Sequence, residues 1–408
     1  MLARHHAKIR RKREFGDAFE QFYDLGPDLK EPIQITFVDE FDMAEAGIDG
    51  GGVTKEFLTS VISQAFDPSN ENIEHAYFVE NDKHLLYPSP TAIEDLRVRF
   101  KNMGLKDTQP AVRAEVRNLL QQYEFLGRII GKCLYEGILV DVSFAGFFLK
   151  KWALTGGANS APMESGYRAN INDLRDLDEG LYRGLLALKN APADQVEDFG
   201  LTFTVDELVG PEGQKQVLER ELIPNGANTA VSAENRLIYI NRMAHYRLQG
   251  QSKLQTDAFL KGLSSIIQPS WLSMFNQSEL QTLVGGASAE IDIPDLRRNT
   301  QYGGTYVIGT DGLEHPSVQL FWTVMQSLPD VERRKVLKFV TSTPRGPLLG
   351  FQMLNPRFSI RDSGSDENRY PTTSTCVNLL KLPMYKSERV LREKLLAAVN
   401  SGAGFDLS

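Results

Sequence analysis

The sequence predicts an α+β fold, with a long, mainly helical stretch followed by a smaller mixed unit in the last hundred or so residues. Three observations predict it. The 408 residues are 41% hydrophobic and 24% charged, the profile of an ordinary globular protein long enough for two or three domains or lobes. From about Ala111 to Gly137, apolar residues recur at helical spacing over an unusually long run. Beyond Asn299–Thr305, where Gly303-Gly304 interrupts the helical segments, short helix and strand signals are mixed.

Taken in order, Ile9 to Phe22 reads as a helix, because Phe15, Phe19 and Phe22 recur at helical spacing. The basic cluster Arg4, Lys8, Arg10, Arg11, Lys12 and Arg13 is expected on its solvated face. A chain that starts abruptly on such a segment is expected to be a piece of a longer protein. Ile33 to Val38 reads as a strand, and a helix is expected after Gly50-Gly51-Gly52. These glycines do not make a phosphate loop, since Thr54-Lys55 reverses the order that loop requires.

The long helix is opened by Thr108 and Pro110. Leu119, Tyr123, Leu126, Ile130 and Cys133 form its apolar stripe, so Cys133 is expected in the core. Gly127 and Gly131 would admit a close neighbour. Phe144 to Leu149 is expected to be buried. In the middle region, Leu201–Val205 and Leu237–Ile240 read as strands or short helical pieces, and Pro224-Asn225-Gly226 as a turn. Helices are expected at Gln255–Leu263 and Trp271–Leu283. In the last unit, Phe321–Leu328 and Val331–Phe339 are expected helices, and Leu348–Phe351 and Val377–Leu382 expected strands. Ser387 is positioned to cap a final helix.

Composition narrows the function. A net charge of −8 argues against a general nucleic-acid binder. No apolar run approaches the roughly 20 residues of a membrane span, and the N-terminus has no signal core. Two cysteines cannot form a disulfide framework, which points to a reducing compartment. Histidine and cysteine spacings suit no metal, so no metal and no cofactor are expected.

What remains is Cys376, a lone thiol in a polar, hydroxyl-rich turn before an apolar run, where thiolate chemistry finds access and local polarity. All six histidines precede it, which excludes a papain-like order. His315 and His245 are the nearest base candidates, and neither lies in a motif. Thioester exchange is close to isoenergetic and needs no dedicated histidine, only a deprotonated, aligned thiol.

The segment Arg369-Tyr370-Pro371-x-x-x-Thr375-Cys376-x-Asn378-x-Leu380-x-Leu382-Pro383 resembles the catalytic motif of HECT-type ubiquitin-protein ligases. Ala46-Gly47-Ile48-Asp49-Gly50-Gly51-Gly52-Val53-x-Lys55-Glu56-Phe57 is similar to the family's N-lobe signature. Leu126-Gly127-Arg128-x-x-Gly131-Lys132, Glu234-Asn235-Arg236, Trp271-Leu272-x-Met274-Phe275, Tyr302-Gly303-Gly304 and Gly404-Phe405 also fit, in order. Phe144–Leu149, Leu337–Ser342 and Pro347–Phe351 further resemble the proteasome-associated C-type subfamily. Departures are Tyr370 for the usual leucine, Ser374 where some members carry histidine, and Cys133 for a common alanine.

The resemblance implies a bilobal HECT fold: an N-terminal helix in 1–30, an N-lobe at 31–298, a flexible hinge at 299–305 including Tyr302, Gly303 and Gly304, and an α/β C-lobe at 306–408. Within the N-lobe, residues 150–265 would bind a ubiquitin-conjugating enzyme. It also implies that Cys376 accepts ubiquitin as a thioester and passes it to a lysine of a substrate or of ubiquitin. Thr375 and Asn378 would orient the loop. Asp366, with Glu367, would help deprotonate the incoming lysine, Phe405 would assist transfer, and Arg369 would contact ubiquitin or fix the loop. Proteasome association and a cytoplasmic and nuclear location follow from the subfamily resemblance alone. The rival readings are a silent scaffold that docks a conjugating enzyme, and a histidine-dependent hydrolase of ubiquitin conjugates.

Overall fold

Strand alternation begins earlier than the sequence reading expects. The structure, a computed structural model, describes residues 5–39, 41, 43–44, 52–70, 76–155 and 166–401. Ala7 and Ile9 are buried at alternate positions of β1 (His5–Arg10), which pairs in parallel with β2 (Ile33–Val38). The helical period of Phe15, Phe19 and Phe22 belongs to α1 (Glu14–Phe22), which starts after the strand. The expected helix from Ile9 is therefore corrected: Ile9 follows the period of two, not that of 3.6. The described part of the basic cluster, from Lys8 to Arg13, accordingly lies on a strand and turn. Arg10 grips Asp17 of α1 at 2.6 Å, and Arg11 caps the face of the Phe37 ring at 3.9 Å.

A first apolar core runs from Ala7 to Val284. It takes in α2 (Gly52–Ala65), the short pair β3 (Phe78–Glu80) and β4 (Leu86–Pro88), α3 (Ala92–Asn102), α4 (Pro110–Glu136), α5 (Gly146–Ala153) and α6 (Glu179–Asn190). β5 (Thr204–Val209) and β6 (Gln216–Glu221) follow as an antiparallel hairpin, then α7 (Arg236–His245), α8 (Lys253–Ile266), α9 (Pro269–Leu272) and α10 (Gln277–Gly285). The centre is α4 crossing α8. Proline opens α4, and Gly137 closes it in the left-handed region at φ 68°. A methyl at Gly262 would strike the Glu124 carbonyl oxygen, and one at Gly127 that of Phe259, so glycine sets the interaxial approach. Phe148 lies 5.2 Å from Phe259, and Trp152 5.3 Å from Phe144. Cys133 is buried, and burial pushes its thiol well above the ordinary range.

Several local expectations change. β6 is charged and mostly exposed, so no apolar alternation announces it. Of the 201–205 segment only Thr204 and Val205 join β5, whereas Leu237–Ile240 takes the helical one of its two expected forms, within α7. Trp271–Leu283 splits into two helices, because Asn276 and Glu279 form a capping box that starts α10 afresh.

The second core runs from Ile291 to Leu395. It contains α11 (Ile293–Arg298), β7 (Gln301–Gly303), α12 (Pro316–Ser327), α13 (Asp330–Thr341), β8 (Ser359–Asp362), β9 (Thr372–Ser374), β10 (Leu379–Leu382) and α14 (Glu388–Ser401). The strands form one sheet in the order β7-β8-β10-β9, with β8 parallel to β7 and β10, and β9 antiparallel. Ser387 accepts from the Val390 N–H at 3.3 Å and so caps α14.

The expected hinge at 299–305 lies inside this core. Gln301–Gly303 is a sheet strand, and Asp362 accepts from the Thr305 N–H at 2.8 Å. The Tyr302 hydroxyl donates to Glu314 at 2.8 Å and accepts from the indole of Trp322 at 2.9 Å. Gly304 sits at φ 63°. The passage between the cores falls instead between Val284 and Ile291. Leu348–Phe351 is a turn, not a strand: Gly350 takes φ 90° and leads into a single 3-10 turn, Phe351–Met353. Among the described residues, no helix is long and apolar enough to cross a membrane.

Candidate active site: the Cys376 turn docked on helix α2

The chain turns between β9 and β10 through one 3-10 turn, Thr375–Val377, with Cys376 at its middle. Asn378 closes the turn at φ 51°. Asparagine tolerates this region better than other chiral residues, and the sheet needs the tight reversal because Ser374 pairs directly with Leu379. Asn378 is fully buried. Its amide Nδ2 donates to the Pro356 carbonyl, and its Oδ1 accepts from Lys55. Its own carbonyl accepts from the Ser359 N–H at 2.9 Å, and its N–H reaches the Thr375 carbonyl at 3.3 Å. The Thr375 carbonyl and the Asn378 amide and backbone thus hold the turn together.

The turn rests on the first core. A Cβ added to Gly52, at the start of α2, would come within 3.0 Å of the Cys376 carbonyl oxygen. One turn further along α2, Lys55 sends its ammonium across the interface. It donates to the carbonyls of Thr341 at 2.8 Å and Thr375 at 3.1 Å, and to Asn378 Oδ1. Sequence reasoning placed Lys55 in a motif without a role. The available signal was a lysine on the face shared with Leu58 and Ile62, where α2 is apolar.

Cys376 is half-buried. Burial raises its thiol pKa, and Glu56 raises it further, whereas Lys55 and the N–H groups of Val377 and Cys376 pull it down. Burial also brings Lys55 down to about 8, with Cys376 acting against that. No histidine hydrogen-bonds to Cys376 among the described residues. His315 caps α12, accepting from the Ser317 N–H at 3.2 Å, and His245 belongs to α7 of the first core.

The other predicted residues are placed differently. Asp366 is exposed and accepts from the Asn368 N–H of its own loop at 2.9 Å, while Glu367 accepts from the Lys386 N–H at 2.7 Å and ties that loop to the segment before α14. Arg369 donates to the Ser363 carbonyl at 3.2 Å, and its own carbonyl accepts from the Tyr385 hydroxyl at 2.6 Å. Phe405 lies outside the described residues, as do residues 46–51 of the glycine signature.

Chemically, the site offers an accessible thiol, a neighbouring cation and a turn that cannot shift without breaking a buried network. That set suits a covalent thioester intermediate. Comparison with known proteins agrees. The model of the HECT-domain (ubiquitin-transferase) family matches residues 59–408. A probable E3 ubiquitin protein ligase of Schizosaccharomyces pombe is 46% identical over 99% of this chain. The E3 ubiquitin-protein ligase HUL5 of Saccharomyces cerevisiae is 42% identical over 98% of it, and the human ubiquitin-protein ligase E3B 39% identical over 99%. The chain spans only 35%, 39% and 36% of the length of these three relatives. With the thiol turn, the two cores and these full-chain similarities in agreement, the chain belongs to the HECT-domain family of ubiquitin transferases.

Proposed function

We propose that this chain accepts ubiquitin from a ubiquitin-conjugating enzyme as a thioester on Cys376 and passes it to a lysine amine of a protein substrate or of ubiquitin. The observation that carries the reading is the Cys376 turn itself: the chain's one thiol outside the buried core, framed by Thr375 and Asn378 and docked on Lys55. The acyl carbon of the incoming thioester forms a bond to Cys376 Sγ, and the conjugating enzyme's sulfur leaves as thiolate. An amine then forms the isopeptide bond and Cys376 is released.

Leu208 and Val217 are cross-strand partners on the β5–β6 hairpin and are 60% and 67% exposed. They support a conjugating-enzyme surface in the 150–265 region. Proteasome association, chain building for degradation and a cytoplasmic and nuclear place of action rest on the subfamily resemblance.

A single-turnover transfer tests the reading. A conjugating enzyme preloaded with labelled ubiquitin is mixed with the chain, and products are separated with and without reductant. A reductant-sensitive adduct is expected, lost in Cys376→Ala and kept in Cys133→Ala. Folded protein that forms no adduct with several conjugating enzymes overturns the proposal.

A further inference from the structure

Lys55 is a buried cation whose partners all lie on the other core. It is 4% exposed, and its three N–H donors meet three acceptors: the carbonyls of Thr341 at 2.8 Å and Thr375 at 3.1 Å, and Asn378 Oδ1. None of the three is charged. An ammonium buried among neutral dipoles is poorly compensated. The group that can supply the missing negative charge is Cys376, one residue from the Thr375 carbonyl, and each of the two favours the ionised form of the other.

We propose that Lys55 is a positioning residue for the second transfer: from the first core it holds the Thr375–Asn378 turn of the second core in place and steadies the sulfur of Cys376 as it leaves. This rests on the ubiquitin-transfer reading above.

The bond changes explain why one step needs Lys55 more than the other. When Cys376 is loaded, one sulfur anion replaces another, and no net charge is created. When a neutral amine attacks the neutral thioester, its lone pair forms the N–C bond and the carbonyl electrons move to oxygen. The carbonyl then re-forms, the C–S bond breaks, and its pair leaves on Cys376 Sγ as thiolate, while the amine proton passes to water. In loading, the charge on Cys376 Sγ is consumed and an equal one appears on the conjugating enzyme's sulfur; on Cys376 Sγ itself a full negative charge develops only in this second step. A cation already fixed nearby stabilises it without reorganisation. The same three hydrogen bonds keep the sulfur from drifting as the turn is acylated and released.

The test separates the two steps. Wild type, Lys55→Met and Lys55→Arg are each loaded from a conjugating enzyme carrying fluorescent ubiquitin, and the isolated Cys376 thioester is then chased with free lysine. Discharge is read only from molecules that carry the thioester, so a misfolded fraction does not enter. Lys55→Met is expected to discharge about ten-fold more slowly relative to its loading rate, the scale of losing a hydrogen bond to a charged group. Lys55→Arg keeps the charge but not the fit to three acceptors, and it is expected to recover part of the loss. If Lys55→Met carries no adduct, the discharge rate of Lys55→Arg decides. Discharge at the wild-type rate, or an equal fall in loading and discharge, overturns the role of Lys55. Failure of the wild type itself to load strikes the ubiquitin-transfer reading instead.

Discussion

Replacing Asn378 separates what its side chain bonds from what its backbone demands. The residue is fully buried, sits at φ 51°, and uses both ends of its amide, one on Lys55 and one on the Pro356 carbonyl. Asn378→Gly removes both side-chain bonds but keeps the backbone at ease. Leaving two buried partners unsatisfied costs about 1–2 kcal/mol each, so about 2–4 kcal/mol in total. Asn378→Ala loses the same bonds and must also hold the left-handed region, which costs a further 1–2 kcal/mol or so. Part of that difference is offset because glycine loosens the unfolded chain by about 0.4–1 kcal/mol. Alanine should therefore be the worse variant by roughly 1 kcal/mol, at a total of about 3–6 kcal/mol.

Native-state hydrogen exchange reads this locally, because it resolves the sheet of the second core from the helices of the first. Protection of the β8 and β10 amides should fall by roughly a hundred- to ten-thousand-fold or more in Asn378→Ala, and about five-fold less in Asn378→Gly. Protection of α4 should not change. A loss below ten-fold in the alanine variant would mean that the two side-chain bonds contribute little. Equal losses in the two variants would mean that the backbone conformation costs alanine no more than the roughly 0.4–1 kcal/mol by which glycine loosens the unfolded chain.

Three further outcomes follow from the geometry. Glu56→Gln removes a negative neighbour that holds the Cys376 thiol up, so the pH midpoint for alkylation of Cys376 should fall. An unchanged or higher midpoint contradicts that electrostatic account. Gly262→Ala drives a methyl into the Glu124 carbonyl at the α4–α8 crossing, and since neither backbone can yield, a stability loss of about 3 kcal/mol or more is expected in urea titration. Tyr302→Phe deletes the hydroxyl that joins Glu314 to the Trp322 indole, at a cost of about 1–3 kcal/mol. Its effect should appear as lost exchange protection in β7 and α12, and an unprotected β7 in the wild type would mean that the strand is a free hinge after all.

Much of this architecture is legible in the sequence wherever burial imposes a period. The stripe Leu119, Tyr123, Leu126, Ile130 and Cys133 marks α4, and the alternation from Ile33 marks β2. Cys376 is legible for the opposite reason, as a thiol outside any apolar stripe. The failures have physical causes as well. Two glycines at 303–304 look like a break in the chain, but Gly304 is there because its φ of 63° and the close approach of Asp362 leave no room for a side chain. A glycine required by packing and one required by mobility read alike in sequence. β6 escapes notice because an exposed, charged hairpin strand buries too little to show a pattern. Lys55 is hidden because its partners lie 286 to 323 residues away in the chain. No local pattern records which distant carbonyls a lysine will meet.

The way the two cores are joined bears on how a single thiol would serve both partners of the proposed transfer. Each core is closed by apolar packing of its own, whereas several contacts across the boundary are polar. Lys55 holds the thiol turn, Lys338 of α13 pairs with Asp141 at 2.7 Å, and the Asn355 side chain donates to the Glu136 carbonyl at 3.0 Å. Lys338 and Asp141 are largely exposed, so their pair contributes at most about 1 kcal/mol and can be exchanged for water at little cost. Lys55 differs, because separating the cores returns its charge to water and removes its burial penalty while giving up three hydrogen bonds. These opposing terms leave a small net balance. In the proposed transfer, a junction balanced in that way would let the cores open for a bulky thioester donor and close for an amine. An apolar seam of the same area would hold the cores in one arrangement. Raising the ionic strength should therefore weaken the exposed Lys338–Asp141 contact far more than the buried Lys55 contact, so the docked state should be retained in high salt but lost in Lys55→Met. Small-angle scattering of the two proteins at low and high salt measures this, and a wild-type chain that expands with salt as much as Lys55→Met would place the hold elsewhere than at Lys55.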